Sequence, residues 1–115
     1  MEDIVYHNGK LKMKLQFLLL EENNRYIAIV PSLKLSANSK ESKEKSIELL
    51  IANIKKFCKF YNTKDKLHKE LSRIGWEGSL EPDHLHISSE SLKSSEPKNH
   101  FESEEKEIEM DCLAY

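Results

Sequence analysis

Hydrophobic and polar residues alternate along the first third of the chain in the way that β-strands require. Between Met13 and Leu19 every second residue is apolar. The polar positions between them are Lys12, Lys14 and Gln16. This alternation predicts a half-buried strand with its apolar side toward a core. The Asn-Gly dipeptide at residues 8–9, just before this strand, is typical of a two-residue hairpin turn.

Two further strands are predicted after this one. A polar turn at residues 21–25 is followed by an alternating segment over residues 26–30 that ends at Pro31. Because proline cannot donate a hydrogen bond to a central ladder, the strand is expected to stop there. Leu33 and Leu35 then alternate with polar neighbours, which predicts a short third strand near a sheet edge.

Helical spacing replaces alternation from about Ser42 onward. Apolar side chains recur at that spacing up to Tyr61 and predict one long helix. They are Ile47, Leu50, Ile51, Ile54, Phe57, Cys58 and Tyr61. Thr63 is a suitable N-cap for a second, short helix that ends at Gly75, and Trp76 is expected to fold back on its last turn.

These elements predict an α+β domain over residues 1–76: an antiparallel sheet of three to four strands, one long helix packed across it and a short second helix. Residues 77–115 are expected to form an acidic tail. Residues 88–105 have few apolar side chains and are expected to be disordered or a loop. Residues 107–113 alternate again and suit a last strand at a sheet edge. If that strand pairs with a neighbouring chain, the protein is a swapped homodimer.

The net charge of -2 conceals opposite charges in the two segments. Residues 1–76 contain 15 Lys and Arg against 9 Asp and Glu, whereas residues 77–115 contain 3 against 11. The first segment is therefore +6 and the tail is -8, so one expectation is that the tail shields a basic face of the same chain.

The sequence favours a cytoplasmic location. No apolar run approaches the length of a membrane span, and the N-terminus lacks the pattern of a leader peptide. Cys58 is predicted on an apolar helix face, and its distance from Cys112 gives no disulfide framework, as expected in a reducing compartment.

No catalytic constellation, metal site or cofactor is predicted. Glu21 and Glu22 lie in a turn, so they do not converge with other carboxylates as a metal-dependent nuclease requires. His84 and His86 are two residues apart and would need Asp83 or His100 to complete a metal site, which spacing alone does not supply.

The segment from Lys12 to Trp76 resembles the HicB-like antitoxin family. The resemblance rests on the order of its parts: a strand, an acidic turn, an aromatic and an Ala opening the second strand, a Pro-x-Leu step and a long helix. The matching residues are Glu21, Glu22, Tyr26, Ala28, Pro31 and Leu33. In this variant the short helix ends in a Gly-Trp pair.

The resemblance implies a degenerate ribonuclease-H-like half domain without catalytic carboxylates, which binds a small RNA-cleaving toxin called HicA. The expected partner surface is the third strand and its flanking turn, with Leu33, Lys34, Leu35, Ser36 and Asn38 as candidates. The chain departs from the family over residues 37–42, where a glycine-containing loop is usual. Because the acidic tail has no basic recognition helix, we do not expect DNA binding.

Two other interpretations stay open. A basic set along the two helices would suit phosphate groups and indicates nucleic-acid binding. The set comprises Lys55, Lys56, Lys59, Lys66, Lys69 and Arg73. Phe60 and Tyr61, the aromatic residues nearest to it, are expected in or beside the core, which weakens this alternative. The third interpretation is an orphan domain that has kept the fold and lost its partner.

Overall fold

The computed structural model describes residues 2–7, 9–80, 84–87 and 102–111. Four strands precede two helices, and three strands follow them. In chain order the elements are β1 (Asp3–His7), β2 (Lys10–Glu22), β3 (Arg25–Val30), a 3₁₀ turn (Pro31–Leu33), β4 (Leu35–Ser39), α1 (Lys43–Phe60), α2 (Lys64–Arg73), β5 (Trp76–Gly78), β6 (Leu85–Ile87) and β7 (Glu102–Met110). The predicted α+β class, with one long and one short helix, is confirmed.

β2 is the centre of the sheet because three strands pair with it in antiparallel register. β1 pairs with residues 10–14, β3 pairs with residues 18–22, and β7 pairs with residues 11–19. A strand has only two edges, so two of these neighbours must share one edge of β2.

The two hairpins show which neighbours share an edge. His7 lies opposite Lys10, and Glu22 lies opposite Arg25, so two residues separate the paired ends in each case. Along a strand, the backbone N–H and C=O groups of successive residues point to alternate edges. Lys10 and Glu22 are separated by an even number of positions, so their backbone groups point to the same edge of β2. β1 and β3 therefore lie end to end along one edge of β2, and β7 covers the other edge.

A buried carboxylate fills the gap between β1 and β3. Gln16 of β2 lies in this gap, and its backbone N–H donates to Oε2 of Glu2 at 3.0 Å. The Ser32 hydroxyl donates to the same oxygen at 2.6 Å, and the Trp76 indole donates to the Ser32 carbonyl at 2.8 Å. Glu2 is only 7% exposed. These hydrogen bonds join the start of β1, the end of β3 and the start of β5.

The sheet continues beyond Trp76. Strands on both sides of the boundary expected after residue 76 therefore belong to the same sheet. Its main path runs β4-β3-β2-β1-β6-β5, and β7 makes the seventh strand. The sequence predicted three to four strands. The difference arises because β5 and β6 are three residues each, too short for a pattern of alternation to be recognised.

The helices cover one face of the sheet. Ser42 caps α1, its hydroxyl accepting from the Lys45 N–H at 3.0 Å, and Thr63 caps α2 by accepting from Lys66 at 3.1 Å. Of these two N-caps, that of Thr63 was predicted. Trp76 begins β5 and is buried. The largest fully buried side chains that meet in this core are Trp76, Phe17, Ile4, Leu11, Met13, Leu15, Leu19, Leu50, Ile54, Leu67, Leu71 and Leu85.

β7 is a strand of the same chain that starts earlier than expected. It spans Glu102–Met110, whereas the prediction was residues 107–113, of which 112–113 lie outside the described residues. Ile108 and Met110 are buried, as the alternation predicts. Of the segment expected to be disordered or a loop, residues 102–105 belong to β7, and residues 88–101 lie outside the described residues.

Replacing Glu2 with Gln should lower the free energy of unfolding by about 1–3 kcal/mol, because an amide cannot match the charged acceptor of two buried donors. Chemical denaturation followed by circular dichroism measures this change. Glu22→Gln, at an exposed turn position, is the control and should be nearly neutral. Equal stabilities for the two variants would contradict the role assigned to Glu2.

Replacing Ile108 with Ala should cost about 2 kcal/mol of stability if β7 is part of the folded domain, since the side chain is buried against the core. Ser103→Ala, on the exposed face of β7, provides the control. An unchanged denaturation midpoint for Ile108→Ala would show that β7 is not docked on β2 in solution.

Candidate protein-binding surface

The outer edge of β4 has no strand partner within the described ranges, and α1 contacts part of it. β4 is the terminal strand of its side of the sheet, and within the described ranges no strand pairs with its outer edge. Asn53 of α1 donates from Nδ2 to the Ser36 carbonyl at 3.2 Å, so that carbonyl faces away from β3. Because backbone groups alternate along a strand, those of Asn38 face the same way.

The structure divides the five predicted partner-binding residues into two groups. Lys34, Ser36 and Asn38 are exposed. Leu33 is 2% exposed, and Leu35 is half-buried against the core. Those two leucines therefore anchor the segment: Leu33 is buried within the 3₁₀ turn, and the alternation of β4 directs Leu35 inward.

The segment that carries these residues has a defined shape. The Lys34 N–H donates to the Pro31 carbonyl at 3.1 Å, which closes the 3₁₀ turn. Lys34 has a φ of 56°, in the left-handed region, and so reverses the chain direction before β4. On β4, the Asn38 side-chain oxygen accepts from Nη1 of Arg25 at 2.9 Å. The turn and the Asn38 side chain are therefore held in defined positions.

An apolar patch adjoins this edge on the face of the sheet opposite the helices. Ile27 and Ile29 of β3 are half-buried and lie opposite Asn38 and Ser36 in the register. Leu20, also half-buried, lies opposite Ile27 on β2. This patch was not predicted from the sequence, although the unbroken apolar runs at residues 17–20 and 27–30 were its signal.

The basic set of the sequence analysis is exposed. The structure brings half of it together: Lys66, Lys69 and Arg73 border one groove at the corner between α1 and α2. The other members, Lys55, Lys56 and Lys59, are exposed along α1. Phe60 also lines this groove and is 76% exposed, so the expectation that it lies in or beside the core is wrong. Tyr61 is half-buried against the core.

An ionic pair on α2 adjoins that groove. Nε of Arg73 donates to Oε1 of Glu70 at 2.7 Å. This hydrogen bond, together with the opposite charge of each partner, lowers the pKa of Glu70 and raises that of Arg73. Partial burial raises the pKa of the Tyr61 hydroxyl, and the Glu70 carboxylate raises it further.

The acidic residues of β7 contact lysines of β2 and α1, and the helical basic set is not covered by them. Glu109 lies opposite Lys12 in the register, and the Lys10 ammonium is 3.2 Å from its carboxylate. Lys43 donates to Glu102 at 2.7 Å, and this hydrogen bond raises the Lys43 pKa. The acidic residues of β7 therefore shield lysines of β2 and Lys43 of α1, and not the basic set along the helices.

The histidines and carboxylates that the structure describes do not form a metal site. The rings of His84 and His86 have centroids 6.1 Å apart, while Asp83 and His100 lie outside the described residues. Four carboxylates border a groove of about 330 Å³ at the start of α1: Glu21, Glu41, Glu44 and Glu102. Within the part of the chain described, no three His, Cys, Asp or Glu residues are grouped to hold a metal ion.

Comparisons with family models, curated proteins and solved structures gave no match for this chain. Among the described residues, neither helix has the length and apolar character needed to cross a membrane.

Replacing Glu70 with Gln should destabilise the protein in a pH-dependent way. The folded-state pKa of Glu70 is below its ordinary value of 4.5, so its ion pair stabilises the fold above that pH and is lost as the pH falls through the lowered pKa. The stability difference between wild type and Glu70→Gln should therefore shrink between about pH 6 and pH 3. Denaturant titrations across this range provide the measurement. Glu48→Gln, an exposed position on α1, should show a small difference throughout, and the same behaviour for Glu70→Gln would contradict the assignment.

Proposed function

We propose that this protein is a protein-binding module of the HicB-like antitoxin type and that its partner is a small RNA-cleaving toxin resembling HicA. The observation that carries the proposal is the outer edge of β4, which has no strand partner in the described ranges and where the backbone groups of Asn38 face away from β3 beside an apolar patch. Edge strands with unpaired backbone groups are templates for another chain. The order of the elements from β2 to α1 also agrees with the resemblance stated above.

The proposed mechanism is occlusion. An extended segment of the toxin pairs with the outward-facing backbone of β4 around Asn38, which supplies main-chain hydrogen bonds. The toxin also covers Leu20, Ile27 and Ile29, and burial of these apolar side chains contributes most of the affinity. Bound in this way, the antitoxin blocks the surface with which the toxin contacts RNA. RNA cleavage belongs to the toxin.

The proposal includes a cytoplasmic location and a homodimer. A toxin that cleaves RNA requires its antitoxin in the cytoplasm, and we propose that location. For the homodimer, the outer edge of β7 is a second candidate for pairing, since within the described ranges β7 pairs only with β2. Its charged residues disfavour aggregation at that edge.

A capture experiment tests the proposed function directly. The tagged protein is recovered from lysate of its source organism, with and without ribonuclease, and co-purifying proteins are identified by mass spectrometry. Each candidate is then purified and assayed for cleavage of a labelled RNA. The proposal expects a small ribonuclease that is retained after ribonuclease treatment and inhibited at about equimolar antitoxin. A captured protein whose activity is unaffected, or no captured ribonuclease, contradicts it.

Replacing Asn38 with Pro should weaken inhibition of that ribonuclease at least tenfold while the fold persists. Proline removes the outward backbone N–H of Asn38 and is tolerated at the outer edge of a sheet. Inhibition titrations supply the affinity, and thermal melts report the fold.

Asn38→Ala is the matched control, because it removes the hydrogen bond to Arg25 and keeps the backbone N–H. Near-normal inhibition by the alanine variant together with weak inhibition by the proline variant assigns the effect to strand pairing. Equal inhibition by both variants would remove the β4 edge from the mechanism.

A further inference from the structure

A second surface, at the corner between α1 and α2, has a composition unlike that of the β4 edge. A groove of about 460 Å³ opens there. Its lining residues are Phe60, Tyr61, Lys66, Lys69, Glu70 and Arg73. Among the described residues, the exposed large hydrophobic side chains are those of Phe60 and Leu49. Phe60 is 76% exposed and Leu49 is 37% exposed.

The exposure of Phe60 follows from its position on α1. The helix buries Leu50, Ile54 and Cys58, which recur every four residues on one face. Phe60 follows Cys58 by two positions, a rotation of about 200°, and so points away from that face. Packing in the hydrophobic core therefore does not explain why a large aromatic residue occupies this position.

The Phe60 ring is supported by its neighbours. Its centroid lies 4.8 Å from that of Tyr61, with the ring planes at 81°. Tyr61 in turn packs on Phe57 at 5.0 Å. Edge-to-face packing of this kind stabilises one orientation of an aromatic ring. A flat apolar surface is thereby presented to solvent.

Positive charge surrounds this ring. Lys66, Lys69 and Arg73 follow one another at i, i+3 and i+7, which places them on one side of α2 over a rise of about 10 Å. Across residues 55–73 there are seven Lys and Arg against Asp65 and Glu70, and Glu70 is already bound by Arg73. Within the described ranges, neither Lys66 nor Lys69 forms an ion pair.

We propose that this groove binds single-stranded nucleic acid, with one base stacked on Phe60 and the adjoining phosphates bound by Lys66 and Lys69. An exposed aromatic ring beside a row of cations is the combination by which proteins bind single strands without reading their sequence. A duplex keeps its bases stacked and cannot offer one to the ring. An acidic peptide would satisfy the lysines, but it lacks the flat base that matches the Phe60 face.

The groove is separate from the β4 edge. Phe60 follows Asn53, which contacts Ser36, by seven positions, or about 10 Å along the helix. The single-strand site therefore goes beyond the proposed antitoxin function, and the two can be tested independently. A variant of the groove should inhibit the toxin as well as the wild type does.

Fluorescence anisotropy with a labelled twelve-nucleotide uridine RNA tests the site, and the matching thymidine DNA distinguishes RNA from DNA as the ligand. Phe60→Ala should weaken binding by about tenfold through loss of base stacking. Leu49→Ala removes the other exposed hydrophobic residue of α1 and should bind normally. Lys66→Gln with Lys69→Gln should weaken binding and reduce its dependence on salt concentration. Thermal melts check that each variant is folded.

Three results would overturn the proposal. They are an absence of binding by the wild type, equal affinity of wild type and Phe60→Ala, and tighter binding of duplex or of polyglutamate than of the single strand. The last result would assign the groove to duplex or to an acidic peptide. Because toxin inhibition is measured separately, failure of the single-strand site and failure of the antitoxin function can be told apart.

Discussion

The fold depends on how the middle of β2 satisfies its backbone hydrogen bonds. β1 and β3 share one edge of this strand and leave Gln16 between them without a strand partner on that edge. A buried N–H without an acceptor is costly, and the Glu2 carboxylate supplies one. The same oxygen accepts from Ser32, whose carbonyl accepts from the Trp76 indole. Three distant parts of the chain are thus fixed relative to β2 around one buried charge.

On the opposite edge of β2, the acidic residues of β7 pair with the basic residues of β2, so the opposite charges of the two sequence segments meet in the sheet. The lysines of β2 carry positive charge along the face that the helices do not cover, and the register places Glu107 and Glu109 across from Lys14 and Lys12. Opposite charges directly across two strands are favourable, and like charges would be unfavourable. The pairs are exposed, so each contributes little to stability, but together they favour this register over one shifted by a residue.

The two candidate surfaces differ in the physical basis of recognition. At the β4 edge, backbone groups and half-buried aliphatic side chains adjoin one another, which suits an extended segment of another protein. At the corner of the helices, an exposed aromatic ring lies among cations, which suits phosphates and a base. The first surface supports the proposed binding of a toxin. The second would add a contact with RNA or DNA on the same small domain.

Local pattern determined much of the architecture. Alternation identified β2 and β3, helical spacing identified α1 and α2, and Ser42 and Thr63 marked the helix starts, because these features depend on neighbours within a few residues. Only the tertiary structure decided that β5 and β6 extend the sheet and that β7 pairs with β2 of the same chain. Each of these outcomes depends on which surfaces meet across long sequence separations, and no window along the chain contains that information.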